Sequence, residues 1–248
     1  MTSEHSNETS PAHDDIFATT HWTVVLAAGK PSSPEAQNAL EQLCQTYWFP
    51  LYAYVRRRGH VREDAEDLTQ AFFTRLLEKN FLANLDSDRG KFRAFLLASL
   101  KHFLANEWDK SQCQKRGGSQ AHLSLDWQTA DTKFQVATQN EPSPDKAFDR
   151  EWALALLGKV ILRLQEECDT EGKTKLFTLL KTFLTAGQGE SAQVEVAKTL
   201  GMEEGAVRVA IHRLRKRYRQ LLRDEIANTL IDPAMVDEEM RALFGAFT

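Results

Sequence analysis

The sequence predicts an all-α protein of two helical domains joined by a flexible linker, and three observations carry that expectation. Apolar residues recur at helical spacing through most of the chain, and no stretch alternates apolar and polar residues as a half-buried strand does. Residues 111–146 break the pattern with Gly, Ser, Gln, Thr and Pro and end in NEPSPD, the composition of a linker. An apolar fraction of 42% is enough for real cores, while 12 Gly and 7 Pro are few for a loop-rich or all-β protein. The boundaries that follow are an N-terminal extension 1–34, a first domain 35–116, a linker 117–147, a second domain 148–223 and a tail 224–248.

The first 15 residues are polar, and an apolar segment with Trp22 follows before the GKPSSP break. Ser33-Pro34 presets a first helical turn, and the helix over 36–58 puts Leu40, Leu43, Tyr47, Leu51, Tyr54 and Val55 on its apolar face, with a kink expected at Pro50. A second helix, 62–79, carries Glu63 and Asp64 in its first turn, where carboxylates favour the dipole. After DSDRG, a third helix over 91–110 presents Phe92, Phe95, Leu96, Leu100, Phe103 and Leu104. Periodicity returns at 148–167 and 173–184, and 225–247 reads as a closing helix or two around Pro233.

Residues 192–219 carry the most information. Val194, Ala197 and Leu200 share a helix face that Gly201 can end in a left-handed conformation. The apolar period resumes at Val207, Ile211, Leu214, Tyr218 and Leu221, with Arg208, His212, Arg215 and Arg219 one residue later as a parallel cationic stripe. From Glu203 to Arg223 there are seven Lys/Arg against two Glu, a local +5 in a chain of formal net charge −4. A helix-turn-helix that lays its second helix on DNA needs this pairing of buried stripe and cationic face. A second basic element, 91–118, holds six Lys/Arg against Glu107 and Asp109, with Phe103 and Trp108 interleaved. Rings that stack on unpaired bases beside cations that hold phosphate suit single-stranded nucleic acid. The phenylalanines here read as core, whereas Lys101, His102, Asn106 and Trp108 stand between core and strand contact.

Other chemistries find little support. Cys44, Cys113 and Cys168 match no CxxC spacing and read as thiols of a reducing compartment. The seven His form no HExxH or other ligand pair, and neither GQGES nor KRGGS has the spacing of a phosphate loop. Neither catalysis, metal nor cofactor is expected. No signal peptide opens the chain, and the most apolar stretch, 152–164, is broken by Lys159 and Arg163. A cytoplasmic protein without membrane insertion is the expectation.

The chain resembles the compact, extracytoplasmic-function type of bacterial RNA polymerase sigma factor, in the sigma-70 family. Asp64-Ala65-Glu66-Asp67-Leu68-Thr69-Gln70-Ala71-Phe72-Phe73 is similar to the DAEDLVQEVF block of region 2, and Phe92-Arg93-Ala94-Phe95-Leu96 to its FRAWL opening. Val194–Gly201, Val207-Arg208 and His212-Arg213-Leu214-Arg215 resemble the EIAxxLG…TVKxxLxRAR pattern of region 4. The resemblance covers about 35–116 and 148–223, in order. It implies that Asp64, Glu66, Asp67, Gln70 and Phe73 dock on the clamp helices of the largest subunit of core RNA polymerase. It also implies that Lys101, His102, Asn106, Trp108, Lys115 and Arg116 capture the melted −10 strand of promoter DNA. Glu204, Arg208, His212, Arg213, Arg215, Lys216 and Arg219 would meet the −35 element in the major groove. Two departures stand out: Glu203 replaces the usual Ser or Thr N-cap, and Ala210 replaces a common Arg. The long ends leave open whether regulation uses a separate anti-sigma factor or the chain itself. The competing function is a helix-turn-helix repressor or activator whose first domain only senses or dimerises.

Overall fold

The computed structural model describes residues 34–77, 91–111, 130, 134, 143–185 and 190–248. Its helices are α1 (Pro34–Arg57), α2 (Arg62–Leu77), α3 (Phe92–Ser111), α4 (Pro144–Thr170), α5 (Thr174–Leu180), α6 (Thr182–Thr185), α7 (Glu190–Leu200), α8 (Glu204–Ala227) and α9 (Val236–Gly245). Among the described residues there is no strand, only an isolated antiparallel bridge between Lys91 and Leu230. The all-α expectation holds. The apolar segment around Trp22, the DSDRG turn, most of the linker, and Lys115 and Arg116 just before it lie outside the described residues. The second half begins slightly earlier than the sequence predicts, at Pro144, where the ring presets the first turn of α4.

The helices form where the periodicity puts them, and their apolar faces meet. Tyr47, Leu51 and Val55 of α1, Phe72, Phe73 and Leu76 of α2, and Phe92, Leu96 and Leu100 of α3 are all buried. Aromatic edges set the fit: Tyr47 meets Phe92 with ring centres 5.2 Å apart, and Phe72 meets Phe103 at 5.7 Å, both T-shaped. α1 runs as one helix through Pro50. Pro50 is itself buried among core residues, and packing on both sides of it holds the segment in the core.

α4 joins the two halves. At 27 residues it is about 40 Å long. Its first half buries Phe148, Trp152 and Leu156 in the same apolar core as α1–α3, and its second half buries Val160 and Leu164. α8 lies antiparallel to it, since Arg217 pairs with Glu167 while Glu225 pairs with Arg163 and Lys159. The last turns of α8 place Leu221, Leu222 and Ile226 in that core too, and α9 adds Val236 and Leu243. A smaller cluster of Leu180, Phe183, Ala197, Val207 and Ile211 forms the far end of the molecule. The α7–turn–α8 unit therefore rides on a two-helix stalk whose base is packed into the α1–α3 bundle.

Candidate nucleic-acid interface

α7 and α8 meet at a turn whose geometry follows from one residue. Gly201 has φ +64°, the left-handed region, and the Met202 amide donates to the Ala197 carbonyl at 3.0 Å, closing the end of α7. Glu203 is extended (φ −70°, ψ 146°) and its side chain makes no cap hydrogen bond, as its long carboxylate arm predicts. Val207, Ile211, Tyr218 and Leu221 are buried and Leu214 is partly buried, so the predicted stripe faces inward. Glu204, Arg208, His212, Arg213, Arg215, Lys216 and Arg219 are all exposed.

These exposed residues do not share one face. At roughly 100° per residue, Arg208, His212, Arg215 and Arg219 fall within a narrow arc, with Glu204 beside them. Arg213 lies roughly 140° round the helix from Arg208. It lines an apolar groove of about 620 Å³ with Leu164, Phe177, Met202, Val209 and Arg217. Spacing along the chain put it near the start of the helix, but azimuth turns it to the groove wall. Arg215 is tethered, its Nε donating to the Phe183 carbonyl at 3.0 Å. Arg217 belongs to the stalk, bonded through Nε and Nη2 to Glu167 at 2.7 and 2.6 Å, and these hydrogen bonds hold the Glu167 carboxyl below its ordinary range.

The second surface lies on α3. Lys101, His102, Asn106 and Trp108 are exposed, Trp108 at 67%, so Trp108 is surface rather than core. Lys101 and Trp108 line a cleft of about 890 Å³ between α2 and α3, which Arg58 and His60 enter from the end of α1. Asp64 and Asp67 form its acidic wall. Arg58 and His60 were not expected there; the only signal was the cationic Arg56-Arg57-Arg58 run before the turn. The Lys101 ammonium is ion-paired with Asp145 in the first turn of α4, and its Nζ sits 5.8 Å from the centre of the Tyr54 ring. The Asp145 hydrogen bond raises the Lys101 pKa above its ordinary value.

The acidic face of α2 departs from expectation. Asp64 and Asp67 are exposed, and Glu66 is half-buried and bonded to Arg62 at 2.7 Å. Gln70 is only 8% exposed and Phe73 is fully buried, so neither offers a docking surface. The reason is the run Leu68–Phe73: too many of its residues are apolar for one face, and the helix sinks into the bundle there. Phe73 packs edge-on to Phe72 at 5.7 Å.

With this geometry in place, comparison with known proteins decides what the first half resembles. Residues 44–112 match the family model Sigma-70 region 2. The match runs from the middle of α1 to the end of α3, taking in both the acidic turn of α2 and the exposed cations of α3. No curated protein and no solved structure matches the chain. Among the described residues no helix is long and apolar enough to cross a membrane.

Proposed function

We propose that this chain is a sigma factor: a non-catalytic, cytoplasmic subunit, of the compact extracytoplasmic-function type, that binds core RNA polymerase and directs promoter recognition and transcription initiation. The observation that carries the reading is the Sigma-70 region 2 match at 44–112, in a chain that also bears a helix-turn-helix with an exposed cationic arc. A repressor whose first domain only dimerises has no need of that matched segment. Mixing the purified chain with core polymerase and a library of promoter fragments tests this. Promoter-dependent transcripts support it; tight binding to a palindromic operator without transcripts replaces it with the repressor reading.

Within this reading the roles divide by surface. Asp64 and Asp67 meet the clamp helices of the largest subunit, with Glu66 supporting them through Arg62. Reversing charge at an exposed position leaves the fold intact, so Asp67→Arg retains its helical circular dichroism while losing affinity for core polymerase. Wild-type affinity in that variant ends the docking assignment. His102, Asn106, Trp108 and Lys101 receive the unpaired −10 strand, rings on bases and cations on phosphate.

The arc of α8 reads the −35 element. Arg208 sits in the first two turns, where a recognition helix enters the groove, and Lys216 lies two turns further along and roughly 80° round, on the flank of the arc. Losing a bidentate base contact costs roughly 1–3 kcal/mol and relaxes preference at one base pair. Losing a phosphate contact weakens all sequences alike and lowers the salt slope by about one. Arg208→Ala is expected to behave in the first way and Lys216→Ala in the second, measured by binding to single-base promoter variants at several salt concentrations. Uniform weakening by both removes Arg208 from base readout.

A further inference from the structure

Three cations at and along α3 have carboxylate partners that come from the C-terminal half of the chain. Lys91 is paired with Glu238 at 2.6 Å and Glu239 at 3.1 Å, Arg93 with Glu239 at 2.8 Å and with Asp149, and Lys101 with Asp145. The pairs form a graded row. Glu239 is 1% exposed and Arg93 lies 4.4 Å over the Trp152 ring, so the inner pair anchors α4 and α9 to α3. Lys101 and Asp145 are about half exposed, at the rim, directly beside His102 and one cleft wall from Trp108. The carboxylate at this rim occupies the position that a nucleic-acid phosphate would take on the same ammonium.

We propose that the first turn of α4 is an internal stand-in for phosphate, so that Asp145 masks Lys101 and the free chain presents a partly closed strand-binding face. The proposal rests on the reading of α3 as the strand-capturing helix and adds its regulation. A solvent-exposed pair is weak, so an incoming strand displaces Asp145 rather than being excluded by it. Displacement has a measurable signature. A phosphate that replaces a protein carboxylate finds Lys101 already neutralised, and the salt dependence of binding is shallower than the number of cations at the site predicts.

The test uses the full chain without polymerase and a short fluorescein-labelled single-stranded oligodeoxythymidine, with anisotropy read across a salt series. Asp145→Asn is expected to tighten binding about twofold to fivefold, the scale of one exposed pair. It should also steepen the log–log salt slope by about 0.7, the value for one uncovered cation on a single strand. Glu166→Gln makes the same change in net charge at an exposed position elsewhere on α4 and is expected to leave both quantities at wild-type values. Adding Lys101→Ala to Asp145→Asn should abolish the gain. The mask is overturned by a folded Asp145→Asn protein with wild-type affinity and slope, by a gain that survives Lys101→Ala, or by strand binding that neither protein shows. Promoter-dependent transcription by the same variants separates the two claims. Transcripts with unchanged strand binding remove the mask alone, and a strand-binding gain without transcripts removes the sigma reading alone.

Discussion

Replacing Trp152 with alanine is expected to lower the stability of the chain by about 3–5 kcal/mol, the cost of emptying a large aromatic site in a packed core. Trp152 is fully buried, its Nε1 donates to the Tyr47 hydroxyl at 3.1 Å, and the Arg93 guanidinium covers its face. Burial also pushes the Tyr47 phenol well above its ordinary range, so the pair remains neutral, a donor and an acceptor without charge to desolvate. Truncation removes the ring contacts of α4 with α1 and one of the hydrogen-bond partners of the buried Tyr47 hydroxyl, leaving it Thr229. In a chain of this size that loss corresponds to a fall of roughly 6–20 °C in the unfolding midpoint. Trp108→Ala is the matched comparison: at 67% exposure it should change stability by less than about 0.5 kcal/mol. Equal midpoints for the two variants would mean that α4 is not packed on the bundle.

That contrast between two tryptophans shows what could be read from sequence. Helical periodicity identified Val207, Ile211, Leu214, Tyr218 and Leu221 as an inward stripe because each helix advances by a constant angle, and Gly201 as a helix end because few other residues tolerate its backbone. The same rule, applied to azimuth rather than to position along the helix, would have separated Arg213 from Arg208. Gln70 and Phe73 were misplaced because the family-like block marks a segment, while burial is decided by what packs on it. The partner of each apolar face is long-range information. Trp152 bonds a residue 105 positions away, and Arg93 pairs with a carboxylate 146 positions away. No local pattern encodes such distances, so the joining of both halves through α4, α8 and α9 was invisible in the sequence although every helix involved was predicted.

The joined core also constrains the α7–α8 pair. In the expected arrangement a linker decouples the two DNA-facing surfaces. Here α8 continues from the exposed arc at Arg208 into the core at Ile226, so its orientation is fixed at both ends. The buried Glu225 strengthens that base by accepting Arg163 at 3.0 Å and Lys159 at 2.7 Å from α4. The orientation of the exposed cationic arc therefore depends on packing far along α8 from Arg208.

The anchor most exposed to test is Glu239. It is 1% exposed, and its two carboxylate oxygens serve Arg93 and Lys91 from a helix near the C-terminus. Removing one partner of a buried ion pair leaves an uncompensated charge and typically costs about 3–5 kcal/mol. Glu239→Ala is expected near the lower end of that range, because Arg93 retains Asp149 and Lys91 retains Glu238. Asp237→Ala is the control on the same helix: it breaks an exposed pair with Arg223, an interaction of at most about 1 kcal/mol. Urea unfolding of the full chain separates the two, with an earlier midpoint and an unchanged slope expected for Glu239→Ala. Because α9 closes on the start of α3 through the Glu239 pairs with Lys91 and Arg93, which flank the Phe92 amide, amide exchange in Phe92–Leu96 should quicken in Glu239→Ala and stay slow in Asp237→Ala. If both variants unfold at the same urea concentration, the Glu239 pairs do not hold α9 in place, and apolar packing by Val236 and Leu243 carries the contact alone.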